Sequence, residues 1–425
     1  MNLLLLGNGG REHAIAWKMA QSKYCEKLFI APGNAGTAQC GTNVNFSPND
    51  FEAVKKFCIG NEIHMVIVGP EEPLVRGIVD YFQQDALLEH ISVIGPSREA
   101  AQLEGSKAFA KRFMDRHNIP TAIYREFDSF NYPEGIPYLQ NHALPIVLKA
   151  DGLAAGKGVM ICQSHIEAIS EYELMIHQSK FGDAGKKVVV EEFLDGIEMS
   201  VFVLTDGKNH IVLPQAKDYK RINEGDRGPN TGGMGAVSPV PFADEEFMKK
   251  VTDRIILPTV EGLKKDNIDY RGFIFIGVIK VNGEPKVIEY NCRLGDPESE
   301  VVLPRLKNDL VEIFMAAANG TLSEIIVEED VRVACTVMAV SGGYPGTYEK
   351  GFPITGLDVK VPGVMVFHSG TIEKDEDVVT SGGRVLCVTS FGENIDEAVH
   401  SCVEMMGLID FEGMFYRRDI GWEFR

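Results

Sequence analysis

The chain has 425 residues, a formal net charge of −19, 44% hydrophobic and 24% charged residues. That describes a globular protein with room for roughly two to four domains, and the acidic balance argues against a nucleic-acid or anionic-membrane partner. No stretch approaches the roughly 20 apolar residues of a membrane span. The apolar start Met1–Gly7 lacks the flanks of a signal peptide, and the eight scattered cysteines without C-x-x-C spacing predict reduced thiols in the cytoplasm.

In chain order, Leu3–Leu6, Leu28–Ile30, Met65–Val68 and Ile91–Ile94 read as short apolar strands, with a helix over Glu12–Ala20. Strands alternating with helical stretches predict a parallel α/β sheet. Ligands gather at the carboxyl ends of such strands, where Gly7-Asn8-Gly9-Gly10, Pro32-Gly33-Asn34 and Gly69-Pro70-Glu71 turn the chain. Glu12 stands where a dinucleotide fingerprint needs its third glycine. The first turn still suits a phosphate at a helix start, with Arg11 able to assist. A helix-rich connector follows over 98–118, carrying Lys107, Lys111 and Arg112.

Pro145–Ala150 and Val159–Ile161 predict a hairpin around the small-residue loop 151–158, bracketed by Lys149 and Lys157. The loop fits two readings, a plain hairpin or a cover for polyphosphate, and it is not a Walker A loop because it enters a strand. After a helix near Ile166–His177, the apolar run from Lys187 ends in the acidic turn Glu191–Glu198. The run Pro214–Gly235 reads as a long polar loop. It carries Asp218, Lys220 and Arg221, and Asn230-Thr231-Gly232-Gly233 offers a second backbone anion nest.

Gly272–Val281 and the run from Lys286 pair through Asn282-Gly283. In the second strand Glu289, Asn291 and Arg293 share a face. A carboxylate and an amide oxygen suit Mg²⁺, and a guanidinium beside them suits a carboxylate or phosphate. A solvated polar edge explains this stretch equally well when it is taken alone. Val301–Ala318 reads as one helix. From about residue 328, strands Val331–Val340, Val364–Phe367 and Arg384–Thr389 with helix Ile395–Gly407 predict a small α+β unit without a catalytic constellation.

Together these segments resemble the ATP-grasp superfamily and, within it, the phosphoribosylamine–glycine ligases, also called glycinamide ribonucleotide synthetases. The markers run along nearly the whole chain: GNGGREHA at Gly7, PGNAGT at Pro32, GPEEPL at Gly69, LEGSKAFAK at Leu103, KADGLAAGKGV at Lys149, VEEFLDGIEMS at Val190, GPNTGGMGA at Gly228, IEYNCRLGDPE at Ile288 and SGGYPG at Ser341. The resemblance implies an N-terminal parallel α/β (pre-ATP-grasp) substrate domain over 1–97. A central ATP-grasp domain over 98–327 follows, with a lid at about 120–190, then a small α+β C-terminal domain over 328–425. It implies the second step of de novo purine synthesis: ATP, glycine and 5-phosphoribosylamine giving N-(5-phosphoribosyl)glycinamide, ADP and phosphate through glycyl phosphate.

Carried over by position, Lys107 and Lys149 face the ATP phosphates and Gly156-Lys157-Gly158 covers them. Glu191, Phe193 and Leu194 resemble the adenine hinge and Glu198 the ribose contact. Glu289 and Asn291 match the Mg²⁺ or Mn²⁺ ligands. Arg293 and Asp218 are candidates for glycine and, with Lys149, for catalysis. Gly9, Gly10, Asn34, Glu71, Thr231, Gly232 and Gly233 are candidates for phosphoribosylamine. A monomer without nucleic-acid or membrane partners is expected. The alternative is another ATP-grasp carboxylate–amine ligase, against which GPNTGGMG and the C-terminal unit weigh. A silent nucleotide-binding protein is disfavoured by the intact set Lys107, Lys149, Glu289 and Asn291. Three departures stand out: no acid on Phe273–Lys280, Lys217 where glutamine is expected, and Leu294 where phenylalanine is more usual.

Overall fold

A computed structural model describes residues 1–153, 158–177 and 186–425. The first sheet is wholly parallel, in the order Thr42–Asn43, Lys27–Pro32, Asn2–Gly7, Met65–Val68 and Ser92–Ile94. Its central strand is apolar on both faces and all six of its residues are buried, as a strand covered on both sides requires. Helix Gly10–Met19 starts directly at the end of that strand, so the glycine turn lies at the carboxyl edge of the sheet, as the sequence predicts.

Two antiparallel four-stranded sheets form the centre. One runs Tyr124–Asp128, Lys187–Glu192, Ile146–Ala150, Val159–Cys162. The other runs His210–Val212, Ile197–Thr205, Gly272–Val281, Glu284–Asn291. The Asn282-Gly283 turn has positive φ at both residues, 50° and 83°, the backbone that a tight two-residue hairpin demands. The chain passes between the sheets through Phe193–Gly196.

A last sheet has the order Lys217–Asp218, Gly235–Ser238, Val333–Val340, Arg384–Gly392, Val364–His368, with helix Ile395–Met406 packed on it. The run Pro214–Gly235 is therefore not one long loop. Its ends supply two strands to this sheet, and between them Arg221–Asn223 and Arg227–Asn230 form a hairpin. The alternation there is too short to register as a strand pattern. The single helix expected over Val301–Ala318 is two, Ser299–Arg305 and Leu310–Asn319. The break has a local cause: Asp309 accepts from the backbone N–H of Val311 and Glu312 and starts a new helix.

Candidate active site

Strand Glu284–Asn291 brings its carboxyl end to the place where the two central sheets face each other. Glu289 lies 3.7 Å from Lys107 Nζ. Burial would push its carboxyl group up, but the charges of Lys107, Lys220, Lys149 and Arg293 prevail and hold it at about 2. Asn291 is buried beside it. Lys107 is placed by Ser106, which accepts from Phe109 N at 3.0 Å and caps helix Lys107–Arg116. The Ser106 hydroxyl in turn donates to Asp151 Oδ1 at 2.8 Å, and Ala108 N donates to the same oxygen at 3.0 Å. This helix start is thereby tied to the first residue of the small-residue loop.

Lys149 is buried and reaches across the cleft, with Nζ 3.1 Å from Ile288 O and 3.0 Å from Glu191 Oε2. Lys111 takes the other Glu191 oxygen at 3.1 Å. Burial, reinforced by Lys149 and opposed by Glu191, brings Lys111 down to about 8. The Glu191 side chain is thus the centre of a buried ion cluster, and its backbone lies in strand Lys187–Glu192, opposite Tyr124 on one side and Val147 on the other. Phe193 is exposed on the segment joining the sheets, and Leu194 follows it. Glu198 pairs with Lys220 at 3.0 Å. Gly158 lies at the end of the loop, buried; Gly156 and Lys157 lie outside the described residues.

Asp218 and Glu298 are two acids whose carboxyl groups are both raised. Burial is the main cause in both; for Asp218 Lys220 opposes it and Glu198 adds to it, and for Glu298 Asp218 adds to it while Ser200 and Lys220 oppose. Ser200 Oγ donates to Glu298 Oε1 at 3.0 Å. Arg293 is held from several sides: Glu104 at 2.9 Å, Glu71 at 3.4 Å, and Leu294 O and Asn291 Oδ1 at 3.3 Å each. Glu104, itself buried, also accepts from Cys292 N at 2.8 Å and Cys292 Sγ at 3.1 Å.

At the glycine turn, Glu12 folds back so that its Oε2 accepts from Gly9 N at 2.6 Å. A Cβ at Gly7 or Gly69 would collide with this side chain at 2.5 or 2.1 Å, which explains both glycines and the departure from a dinucleotide turn. Arg11 is anchored beside the turn by two of its donors. Its guanidinium is buried on Glu12 Oε1 at 2.6 Å and Leu294 O at 3.1 Å. Asn34 ties the turn to its surroundings, donating to Asn8 O at 2.9 Å and His368 O at 2.8 Å. The anion nest expected at 230–233 is already occupied by protein groups, since Gly232 N donates to Tyr344 Oη at 2.8 Å and Gly233 N to Thr231 Oγ1 at 3.0 Å.

The C-terminal portion reaches this site although its sequence carries no recognisable constellation. Arg384 donates to Gly232 O at 2.7 Å and Asp296 O at 2.8 Å, and pairs with Asp296 Oδ1 at 3.0 Å. Asp296 Oδ2 accepts from Arg11 N at 3.1 Å. Lys217 pairs with Glu423 at 3.0 Å and its charge also acts on Glu198 and Asp218. Sequence reasoning assigned no role to Glu104, Lys111, Lys220, Glu298 or Arg384. For Glu104, Lys111 and Lys220 a signal existed, because each sits within four residues of an assigned position; Arg384 lies far from all of them in sequence.

Family models for phosphoribosylglycinamide synthetase match in order along the chain: the N domain over residues 1–104, the ATP-grasp (A) domain over 105–299 and the C domain over 334–423. The phosphoribosylamine–glycine ligase of Haemophilus influenzae is 47% identical over 426 residues, covering 99% of this chain and 98% of that one. The crystal structure of phosphoribosylamine–glycine ligase from Thermotoga maritima superposes with a TM-score of 0.86 at 36% identity, covering 99% of this chain and 100% of that one. A biotin carboxylase from Campylobacter jejuni shares the fold, with a TM-score of 0.74 at 14% identity over 99% of this chain and 94% of that one. From the glycine turn to the C-terminal sheet, the chain belongs to the phosphoribosylglycinamide synthetase family.

Proposed function

We propose that this chain joins glycine to 5-phosphoribosylamine at the expense of ATP, giving N-(5-phosphoribosyl)glycinamide, ADP and phosphate. The observation that carries the reading is the convergence of Lys107, Lys149 and Lys220, from three separate segments, on Glu289 beside Asn291. A carboxylate is a poor electrophile and must gain a leaving group. A glycine carboxylate oxygen bonds to the γ-phosphorus as the bond to ADP breaks. The amine nitrogen then bonds to the carbonyl carbon of glycyl phosphate, phosphate leaves, and the nitrogen loses a proton. No side-chain nucleophile is needed. Cys292, the thiol nearest these residues in sequence, is buried on Glu104, and burial pushes it well above the ordinary thiol range.

Lys107 and Lys149 offset the anionic charge of the triphosphate, and Gly156-Lys157-Gly158 covers it. The backbone of Glu191, Phe193 and Leu194 receives the adenine, and Glu198 the ribose hydroxyls. Glu289, ionised over the whole physiological range, and the Asn291 amide oxygen suit Mg²⁺ or Mn²⁺. Among the described residues no group of three or more His, Cys, Asp or Glu forms a metal cage, and such a cation takes few protein carboxylates beside substrate phosphates. Bound there, it would neutralise charge on the transferring phosphoryl group. Asp218 and Glu298 present two carboxyl groups to the glycine ammonium. Arg293 serves the glycine carboxylate, which would replace its long contacts to Glu71 and Asn291. Gly9, Gly10, Asn34, Glu71, Thr231, Gly232 and Gly233 border the place left for phosphoribosylamine, where Arg384 holds Gly232 and Asp296 in position.

Domain divisions at 1–97, 98–327 and 328–425 are part of this reading; the changes of sheet support them, although strands from 217–238 cross into the last sheet. The scattered cysteine spacing fits a reducing, cytoplasmic setting; no described helix is long and apolar enough to cross a membrane. A monomeric state is testable by light scattering. The function itself is tested by ADP release from purified protein with Mg²⁺-ATP, glycine and phosphoribosylamine generated in situ. Release should require both acceptor substrates; release that persists without glycine or without the amine would overturn the proposal.

A further inference from the structure

Two buried side chains close to the glycine turn carry polar atoms that the reaction does not use. Glu300, in helix Ser299–Arg305, is fully buried, and neither of its carboxyl oxygens meets a hydrogen-bond partner among the described residues. Ser369 Oγ, just after strand Val364–His368, is likewise buried and unpartnered. Both crowd the same point. A Cβ on Gly10 would fall 2.2 Å from Glu300 Oε1 and 2.7 Å from Ser369 Oγ. Gly10 opens the first helix, Glu300 follows the central sheets and Ser369 belongs to the C-terminal portion, so three parts of the chain meet there.

An ionised carboxylate without a partner is strongly disfavoured in such a place. The charged and titratable groups around it are Asp296 and Glu298 on its own segment, and Arg384 and Cys387 on strand Arg384–Gly392. Burial, then Asp296, pushes Glu300 well above the carboxylate range against the pull of Arg384. Asp296 behaves oppositely: despite its burial, Arg384 and Arg11 hold it below its ordinary value. Arg384 is already committed to Asp296 and to Gly232 O. Two carboxyl groups four residues apart are thus divided, one charged and one not, by their surroundings.

We propose that the buried Glu300 and Ser369 side chains form a polar wedge against Gly10 that fixes the Gly9-Gly10 turn. Glu300 is then a positioning residue for the amine substrate. The proposal rests on the reading of that turn as part of the phosphoribosylamine site. A neutral acid offers one donor and an acceptor in nearly the shape of an amide. Glutamine is therefore the conservative replacement, whereas aspartate, one methylene shorter, is not.

The test is steady-state kinetics of the full chain, with each substrate varied in turn, beside an infrared difference spectrum of wild type minus Glu300→Gln at neutral pH. Glu300→Gln should keep kcat and all KM values within about twofold. Glu300→Asp and Glu300→Ala should raise KM for the amine about tenfold or more and leave those for ATP and glycine unmoved. The difference spectrum should contain the carbonyl stretch of a protonated carboxyl group, a readout that does not depend on how the alanine variant folds. Carboxylate bands in its place, or a Glu300→Gln enzyme as weak for the amine as Glu300→Ala, would overturn the proposal. Gly10→Ala separates it from its premise. If Gly10→Ala raises the amine KM and Glu300→Ala does not, the wedge is refuted and the site stands. If neither does, the site reading fails and the wedge with it.

Discussion

Replacing Glu289 by glutamine keeps the shape of the strand face and removes one charge from the centre of the cleft. The carboxylate sits at about 2 in the folded chain against an ordinary 4.5. At about 1.4 kcal/mol per pH unit, that difference sets a ceiling of roughly 3 kcal/mol on its contribution to stability. The side chain is 29% exposed, and solvent screening brings the expected loss to about 1–2 kcal/mol. Because the folded value is the lower one, this contribution is complete above about 4.5 and disappears as the pH falls through about 2. The effect on catalysis should be larger. Losing one preorganised charge at a transferring phosphoryl group costs about 3–4 kcal/mol of barrier, a fall of about 10²–10³ in kcat. Urea unfolding should thus show a folded protein while coupled ADP release at saturating Mg²⁺ shows the loss. Turnover within a few-fold of wild type with unchanged metal affinity would refute the argument and place the cation elsewhere.

Lys149→Met should cost about 3 kcal/mol of unfolding free energy, because it strands one Glu191 oxygen in a buried cluster; a loss below about 1 kcal/mol would mean that Lys111 alone satisfies the carboxylate. Arg417 is fully buried and holds Asp226 at 2.7 Å and Asp419 at 2.8 Å. Arg417→Ala should therefore cost about 3–5 kcal/mol and raise proteolytic cleavage within 221–230, and an unchanged urea midpoint would contradict that. His13 and His368 are pulled down to about 3 and about 4, His13 by burial and His368, His368 by burial and Lys360. Since the unfolded imidazoles bind protons first, stability should be flat above about pH 6.5 and fall by roughly 2 kcal/mol per histidine by about pH 5. Urea midpoints that stay level across that range would contradict this.

The strand, cap and hairpin that bring Lys107, Lys149 and Glu289 together were legible in the residues because each is encoded locally. The strand over 284–291, the capped helix start at Lys107 and the hairpin beginning at Ile146 each place their functional groups by a period or a cap that a short window contains. What was not legible depends on pairing between distant segments. Nothing around Pro214–Gly235 announces that its ends become strands of the C-terminal sheet, since that follows from register with Val333–Val340. The glycine turn shows Arg11 beside a helix start, but not that Leu294 O and Glu12 take two of its donors. Glu191 reads as a hinge carboxylate until two lysines, one of them 42 positions before it, close on its side chain.

The same reasoning explains why a C-terminal portion without a catalytic motif is nevertheless built into the cleft. A binding place for a small, highly charged amine must be assembled from loops, and loops hold a shape only where their backbone groups are satisfied. Gly232 and Gly233 carry no side chains, so their fixing atoms come from elsewhere: Tyr344 Oη, Thr231 Oγ1 and the Arg384 fork. Asp296 receives Arg384 on one oxygen and Arg11 N on the other, so one carboxylate spans all three portions of the chain. Moving the C-terminal sheet away would free the loop at 231–233 and the residue that orients the first helix together. The placement of Lys107, Lys149 and Glu289 would not change, because their contacts lie wholly within the central sheets and the helix start beside them. Among the described residues only Lys220, whose segment lies between two strands of the C-terminal sheet, links that sheet to Glu289, whereas the loop at 231–233 depends on it directly.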